Sequence, residues 1–268
     1  MAQNGFKRKP AQAVSGMFHT VAKIELCISD LHFRQLCDAA LKLFLGLDLQ
    51  GTLQKSVSFS GIGLHSGEPS KVTIRPAGKD FGIVFRRMDC PLGKGDIPAN
   101  WDLVHQSPLC TRLFNNHGFE VSTVEHLMAA LVGCGIHNAL VEVTGPEIPI
   151  LDGSASVFVR GFLSKGIRKS EAPVRALRVL KPVEVCRGDA RARLTPHETL
   201  LIEFAIEFED TAIGAQKKTL NMSNGSFVRE LSTSRTFCRQ ADVEMMLANG
   251  LALGGSPGEN AVAVSYTH

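Results

Sequence analysis

The stretch Ser122-Thr123-Val124-Glu125-His126-Leu127-Met128-Ala129-Ala130-Leu131 has the periodicity of an amphipathic α-helix. Its large apolar residues fall at i, i+3, i+4 and i+7, on one helical face: Val124, Leu127, Met128 and Leu131. Ser122, followed three residues later by Glu125, predicts a capping box at the start of the helix. Gly133 and Gly135 indicate where the helix ends. The sequence therefore predicts a helix with one buried apolar face, around which the fold is organised.

The opposite face of this helix is unusual for a surface helix. His126 points almost directly away from the apolar face, and its neighbours there, Ala129, Ala130 and Gly133, are small. We therefore expect the helix to be covered on both faces, with an acid and an imidazole in its first turn. Free N–H groups and the positive end of the helix dipole favour a neutral imidazole and a nearby anion, which suits a metal-bound hydroxide.

Two ordinary structural roles are the alternative for the same pair. Glu125 can be the reciprocal cap of the helix, and His126 can be a hydrogen-bonded buried histidine. One imidazole alone does not define a metal site, because catalytic zinc normally has three protein ligands. The local sequence leaves both interpretations open.

The composition of the chain is that of a folded protein with one large or two ordinary domains. Its 268 residues are 44% apolar and 21% charged, and the net charge of +3 is too small to indicate nucleic-acid binding. The seven cysteines show no C-x-x-C spacing, so we expect a reducing cytoplasm. No apolar run reaches the roughly 18 residues that a membrane-spanning helix needs.

Strand patterns come before helix patterns in the chain, which predicts an α+β fold with mainly antiparallel sheets. The first predicted domain is 51–168, with strands at 53–59, 71–75, 82–86, 110–114 and 138–143 and helices at 122–131 and 154–166. A linker is expected at 169–173. The second domain, 174–268, has predicted strands at 176–185, 190–194 and 200–208 and a helix at 243–248. Residues 1–50 are an N-terminal extension, interpreted as a targeting segment, a translation artefact or a local extension.

Five further stretches occur in a fixed order around the central helix: Gly61-Ile62-Gly63-Leu64-His65-Ser66-Gly67, Ser107-Pro108-Leu109-Cys110-Thr111, Glu147-Ile148-Pro149-Ile150-Leu151-Asp152-Gly153-Ser154-Ala155, Ser234-Arg235-Thr236-Phe237 and Gly250-Leu251-Ala252-Leu253-Gly254-Gly255-Ser256. With the central helix they resemble the UDP-3-O-acyl-N-acetylglucosamine deacetylases from about Thr52 to Val264. The resemblance implies a zinc-dependent hydrolase of lipid A biosynthesis that removes the N-acetyl group of its UDP-sugar substrate. It also implies two similarly folded α+β domains with Zn²⁺ between them, a cytoplasmic location and a monomer when complete.

The same resemblance assigns roles to individual residues. His126 corresponds to a zinc ligand and Glu125 to the general base of the hydrolysis. Thr236 corresponds to the residue whose hydroxyl stabilises the oxyanion, with an ordinary strand position as the alternative. Phe237 matches a substrate-contacting aromatic residue, with core packing as the alternative, and His65 is expected near the substrate.

Two other residues of the matched stretches have more modest expected roles. Cys110 lies near the expected metal position but is interpreted as a small buried apolar residue rather than a ligand. Asp152, between Leu151 and Gly153, is interpreted as a turn or cap residue.

The sequence departs from the family pattern in the second domain. The family's later His-Lys-x-x-Asp helix, which supplies two zinc ligands, has no counterpart, since no histidine of the chain is followed by Asp four residues later. The family's general-acid histidine is absent as well. We therefore expect a C-terminally truncated second domain and impaired activity. A non-catalytic remnant or binding module that keeps the fold of the first domain is the alternative, and bound zinc would distinguish the two.

Overall fold

The computed structural model describes residues 48–105, 107, 109–208, 214–223 and 225–264. The predicted N-terminal extension lies outside these residues up to residue 47, while residues 49 and 50 already belong to the first strand. The elements of the N-terminal part are, in chain order, β1 (Leu49–Leu53), β2 (Val57–Ile62), β3 (Pro69–Pro76), β4 (Ile83–Arg87), β5 (Asp96–Pro98), a short 3₁₀ helix (Trp101–Leu103), β6 (Val104–His105), β7 (Arg112–Phe114), β8 (Glu120–Ser122), α1 (Glu125–Gly133), β9 (Ala139–Thr144), α2 (Ser156–Lys165) and β10 (Ile167–Pro173).

The remaining elements follow β10 along the chain. They are β11 (Val183–Arg187), β12 (Ala190–Leu194), β13 (Leu201–Glu207), β14 (Ala215–Asn221), a π-helical turn (Phe227–Leu231), β15 (Phe237–Arg239), α3 (Gln240–Ala248) and β16 (Val262–Val264). Antiparallel pairs dominate, which confirms the predicted α+β class. None of the described helices has the length and apolarity of a membrane span.

A five-stranded sheet in the order β2-β3-β9-β4-β5 carries the main core. All neighbouring strands in it are antiparallel except β4 and β9, which run parallel. Residues alternate between the two faces of β3 and β9, so Val72, Ile74, Val141 and Val143 are fully buried. Helix α2 packs on β2, where the Phe158 ring meets the Phe59 ring edge-on at 5.0 Å between centroids.

Helix α1 confirms the predicted apolar face. Leu127 and Leu131 are fully buried, Val124 is 2% exposed, and Met128 packs against the core. Its second face is covered in part: Phe227 packs so closely on Gly133 that no side chain could be added there, whereas Ala129 is exposed.

The predicted capping box is wrong. The helix begins at Glu125 after the N-cap residue Val124, and no side chain caps it. Ser122 lies in strand β8, and its hydroxyl donates a hydrogen bond to the Pro146 carbonyl. Thr123 separates strand from helix with a left-handed φ of 56°, so Ser122 cannot take the N-cap position.

Three predicted chain segments have a different structure. One is the strand expected at 176–185, because β11 begins only at Val183 and residues 176–182 are not in a strand. The single strand expected at 53–59 is split into β1 and β2, because β1 pairs with β10 while β2 joins the five-stranded sheet. The linker expected at 169–173 is also wrong, since these residues form most of β10. Its pairing with β1 ends in a hydrogen bond from the Val174 N–H to the Asp48 carbonyl.

The hairpins that follow β10 leave large apolar side chains in solvent. Strands β11–β12 and β13–β14 form separate two-stranded sheets, and Leu194 and Phe204 are 63% and 62% exposed. By contrast, Phe227 is the only residue of the described main core that lies beyond residue 174. The N-terminal part therefore holds nearly all of the described core.

This distribution predicts how shortened chains behave. A chain ending at Arg175 should stay in solution at concentrations where residues 1–268 associate, because it lacks the exposed apolar hairpins. A matched chain ending at Lys169 should be less stable, since it loses the Leu49–Pro173 end of the β1–β10 pairing. Light scattering and thermal unfolding measure both effects. Equal association of the Arg175-terminated chain and the whole chain would contradict the prediction.

Candidate active site

Glu125 and His126 form the first turn of α1, where free backbone N–H groups collect. The Glu125 carboxylate accepts a hydrogen bond of 3.1 Å from the Thr111 N–H through Oε2, so it is held by the segment before β7 rather than by a helix cap. The first turn of α1 thus presents an oriented carboxylate next to an imidazole.

The imidazole of His126 is partly buried, and burial lowers its pKa. The carboxylates of Glu125 and Asp152 are near enough to act in the opposite direction, but burial has the larger effect. The ring is therefore neutral at pH 7, which is the form that accepts a proton or binds a metal.

His65 lies in the turn between β2 and β3, beside Cys110. The thiol of Cys110 raises the pKa of His65, against the opposing effect of burial, and Glu147 and Glu125 add to the increase. For Cys110 burial would raise the thiol pKa, but His65, Ser107 and a backbone N–H lower it. The expectation of Cys110 as an apolar packing residue is therefore incomplete, because its Sγ lies 3.6 Å from the Ser107 hydroxyl, within hydrogen-bonding distance.

An open cavity of about 330 Å³ adjoins this pair. Both halves of the chain line it: His65, Ser66, Ser107, Leu109, Cys110, Arg112, Glu120, Ser122, Pro146, Glu147, Gly250 and Leu251. The C-terminal wall is attached directly, because the Leu253 N–H donates to the His65 carbonyl and the Gly254 N–H to the Leu64 carbonyl.

The segment containing Thr236 is fixed beside the Asp152 turn. The Thr236 N–H donates to the Gly153 carbonyl at 2.9 Å, and the Arg235 guanidinium donates to the Asp152 carbonyl at 2.9 Å. Phe237 is 44% exposed and contacts Phe208 edge-on, so it is not a core residue.

Asp152 has the predicted turn role. Its Oδ1 accepts hydrogen bonds from the backbone N–H and the hydroxyl of Ser154, just before α2. The same carboxylate is near enough to influence His126. Through this turn the structure brings the Thr236 segment and the start of α1 into one region.

The residues of this region do not by themselves complete a zinc site. Among the described residues, no group of three or more His, Cys, Asp or Glu side chains is arranged to hold a metal ion. His126 has the neutral, partly buried imidazole that zinc prefers, but a catalytic site uses three protein ligands. A bound zinc ion would need donors in addition to His126.

Sequence reasoning missed the role of Glu147, although it lies in a matched stretch. Glu147 is 3% exposed and accepts hydrogen bonds from His65, Ser66 and Thr123. Burial alone would raise its pKa, but these donors hold the pKa below the ordinary value. The available signal was a lone acid in front of the apolar run Ile148-Pro149-Ile150, where a carboxylate must be buried with partners.

The lowered pKa predicts an acid-sensitive contribution to stability. A carboxyl group with a lower pKa in the folded than in the unfolded chain stabilises the fold above its unfolded pKa. That contribution is lost as pH falls through the folded pKa. The difference in free energy of unfolding between the natural chain and Glu147→Gln should therefore shrink from about pH 7 to about pH 3. Urea unfolding across this range measures it, and a difference independent of pH would contradict the prediction.

Comparison with known proteins finds similarity over most of the chain. Residues 50–268 match the LpxC family, described as UDP-3-O-acyl N-acetylglycosamine deacetylase. The UDP-3-O-acyl-N-acetylglucosamine deacetylase of Idiomarina loihiensis is 46% identical over 210 residues, which cover 77% of this chain and 68% of that protein. The proteins of the same name from Shewanella frigidimarina and Colwellia psychrerythraea are 44% and 46% identical, each covering 80% of this chain and 70% of the relative.

The fold and the site define an α+β protein with a carboxylate–imidazole pair at a helix start and an open cavity nearby. The extent and identity of the matches then place it more narrowly. The chain belongs to the UDP-3-O-acyl N-acetylglycosamine deacetylase family.

Proposed function

We propose that the protein removes the N-acetyl group of UDP-3-O-acyl-N-acetylglucosamine in lipid A biosynthesis. The observation that carries the proposal is the match over residues 50–268, which includes the oriented Glu125 carboxylate and the neutral His126 imidazole. The reaction is the hydrolysis of an amide: water attacks the acetyl carbonyl, the carbon–nitrogen bond breaks, and acetate and an amine leave.

Glu125 is the proposed general base. Its carboxylate takes a proton from the attacking water, and the Thr111 N–H holds it in place while it does so. The Thr236 hydroxyl donates a hydrogen bond to the oxyanion that develops on the acetyl carbonyl. The leaving nitrogen needs a proton, and the protonated Glu125 can return the one it has taken.

His65 and Phe237 are the proposed substrate contacts. The His65 imidazole lines a largely apolar cavity together with Ser66, Ser107 and Arg112, whose polar groups suit the hydroxyl, amide or phosphate groups of a nucleotide sugar. The partly exposed Phe237 ring offers an apolar surface beside Phe208. The proposed compartment is the cytoplasm, since the five cysteines of the described part, Cys90, Cys110, Cys134, Cys186 and Cys238, are all free thiols.

Zinc is the cofactor proposed from the family, with His126 as one ligand. When bound in such a site, zinc lowers the pKa of water and polarises a carbonyl. The incomplete donor set among the described residues favours a second candidate function, a binding module that keeps the fold without turnover.

Acetate release and zinc content separate the two candidates. The measurement compares residues 1–268 with a hybrid chain, in which these residues are followed by the part of the Idiomarina loihiensis relative that lies beyond its matched region. The deacetylase proposal predicts acetate release from UDP-3-O-acyl-N-acetylglucosamine by the hybrid, with about one zinc ion per chain. Residues 1–268 alone should bind little zinc and show little turnover. A folded, zinc-loaded hybrid without acetate release would favour the binding module.

A further inference from the structure

Glu147 is a buried carboxylate whose partners are all neutral hydrogen-bond donors. Its Oε1 accepts one hydrogen bond from the backbone N–H of His65 at 2.9 Å and another from the Thr123 hydroxyl at 2.8 Å. Its Oε2 accepts from the Ser66 N–H at 2.9 Å and from the Ser66 hydroxyl at 2.6 Å. No salt bridge to this carboxylate is found among the described residues, so these four hydrogen bonds compensate the cost of burying the charge.

The four donors come from two segments that are far apart in sequence. His65 and Ser66 form the turn after β2, and Thr123 joins β8 to α1. Oε1 accepts one hydrogen bond from each segment, so a single oxygen atom fixes their separation. The result is a direct connection between the cavity wall at His65 and the start of the helix that carries Glu125 and His126.

Thr123 needs such a connection because its backbone is strained. It has a φ of 56° and is 2% exposed, and a β-branched residue in the left-handed region is sterically strained. The neighbouring hydrogen bonds, Ser122 N–H to the Pro146 carbonyl and Ile148 N–H to the Ser122 carbonyl, hold the strand beside Glu147. The Thr123 hydroxyl bond to Glu147 then fixes the direction in which the chain enters α1.

The turn after β2 is shaped to receive the carboxylate. A Cβ atom added at Gly63 would collide with the Glu147 carboxylate and with the Ser66 hydroxyl, so only glycine leaves room for this contact. The backbone of Glu147 is held as well, because the Ser70 hydroxyl donates to its carbonyl at 2.6 Å. The carboxylate thus occupies a site built from both of the segments that it joins.

From these contacts we infer that Glu147 is a positioning residue for the Glu125–His126 site. Glu147 contacts neither the Glu125 carboxylate nor the His126 imidazole. It fixes the position of Thr123, and through Thr123 that of the first turn of α1, relative to the turn that contains His65. The inference rests on the proposed function of that site. It assigns catalytic importance to a residue that acts through another.

The test uses residues 1–268 with isotope-labelled histidine and backbone amides. The variants are Glu147→Gln, which makes two of the four donors face an NH₂ group, and Thr123→Val, which keeps the β-branch but removes one hydrogen bond. Glu142→Gln on β9 is the matched control, because it changes the same residue type in the Arg75–Glu142 surface pair. The His126 ring signal is assigned by its loss in His126→Ala.

Both site variants should shift the His126 ring signal, while Glu142→Gln should not. Amide exchange at His65 and Ser66 should accelerate about tenfold or more in Glu147→Gln, with the core strands unchanged. In Thr123→Val the same two amides should keep their protection. This pattern separates positioning from a general loss of stability, which would not move a ring signal in the folded chain.

The inference is overturned if Thr123→Val leaves the His126 signal where the control leaves it. The Thr123→Val measurement decides the question even if Glu147→Gln fails to fold, because Thr123→Val removes only one hydrogen bond. No substrate or zinc is present in the measurement, so its failure leaves the proposed deacetylation standing. Conversely, absence of acetate release would remove the proposed function without changing these signals.

Discussion

His126→Ala should lose zinc and turnover together, whereas Glu125→Ala should keep zinc and lose turnover. A missing general base costs about 10²–10⁴-fold in kcat, while a missing ligand removes the metal itself. The two variants are compared in the hybrid chain by metal analysis and by acetate release. Glu125 and His126 are adjacent in the first turn of α1. A local disturbance of the helix would therefore change zinc content and turnover in the same way in both variants.

Glu142→Ala provides the control for this pair, because it removes a carboxylate from the surface of β9 instead. It should leave zinc content and kcat at their starting values. Equal loss of zinc in Glu125→Ala and His126→Ala would contradict the base assignment and give Glu125 a structural role.

Phe158→Ala should have the largest effect on stability. Phe158 is fully buried between α2 and β2 and packs against Phe59, so truncation should lower the free energy of unfolding by about 3–5 kcal/mol. Leu163→Ala on the same helix is the control: its side chain is 55% exposed, and a change within about 0.5 kcal/mol is expected. Urea unfolding measures both. If Phe158→Ala lowers the free energy of unfolding no more than Leu163→Ala does, Phe158 is not a core residue and the prediction is wrong.

Periodicity predicted the elements that bury one clear face. The apolar residues of α1 recur at helical spacing, and Val72, Ile74, Val141 and Val143 occupy the buried face of their strands, so class and core followed from the sequence. Local patterns failed where a distant partner decides the structure. Residues 169–173 look polar and turn-prone, but their pairing with β1 makes them a strand.

The candidate site shows the same limit. Resemblance supplied Glu125, His126, Thr236, Phe237 and His65, but the sequence did not reveal how they are held. The spacing of Ser122 and Glu125 matches a capping box, yet the left-handed backbone of Thr123 removes Ser122 from the helix. In that conformation the Thr123 hydroxyl donates a hydrogen bond to Glu147, which is 24 residues away in the chain. No local pattern contains both ends of that hydrogen bond.

The most direct test of the central claim is hydrolysis of UDP-3-O-acyl-N-acetylglucosamine in water enriched in heavy oxygen, using the hybrid chain and its Glu125→Ala variant. In the proposed reaction, water activated by Glu125 attacks the acetyl carbonyl, so the released acetate should carry a heavy oxygen atom. The variant should form it about 10²–10⁴-fold more slowly. Acetate without heavy oxygen, or the same rate of release in both chains, would contradict the account.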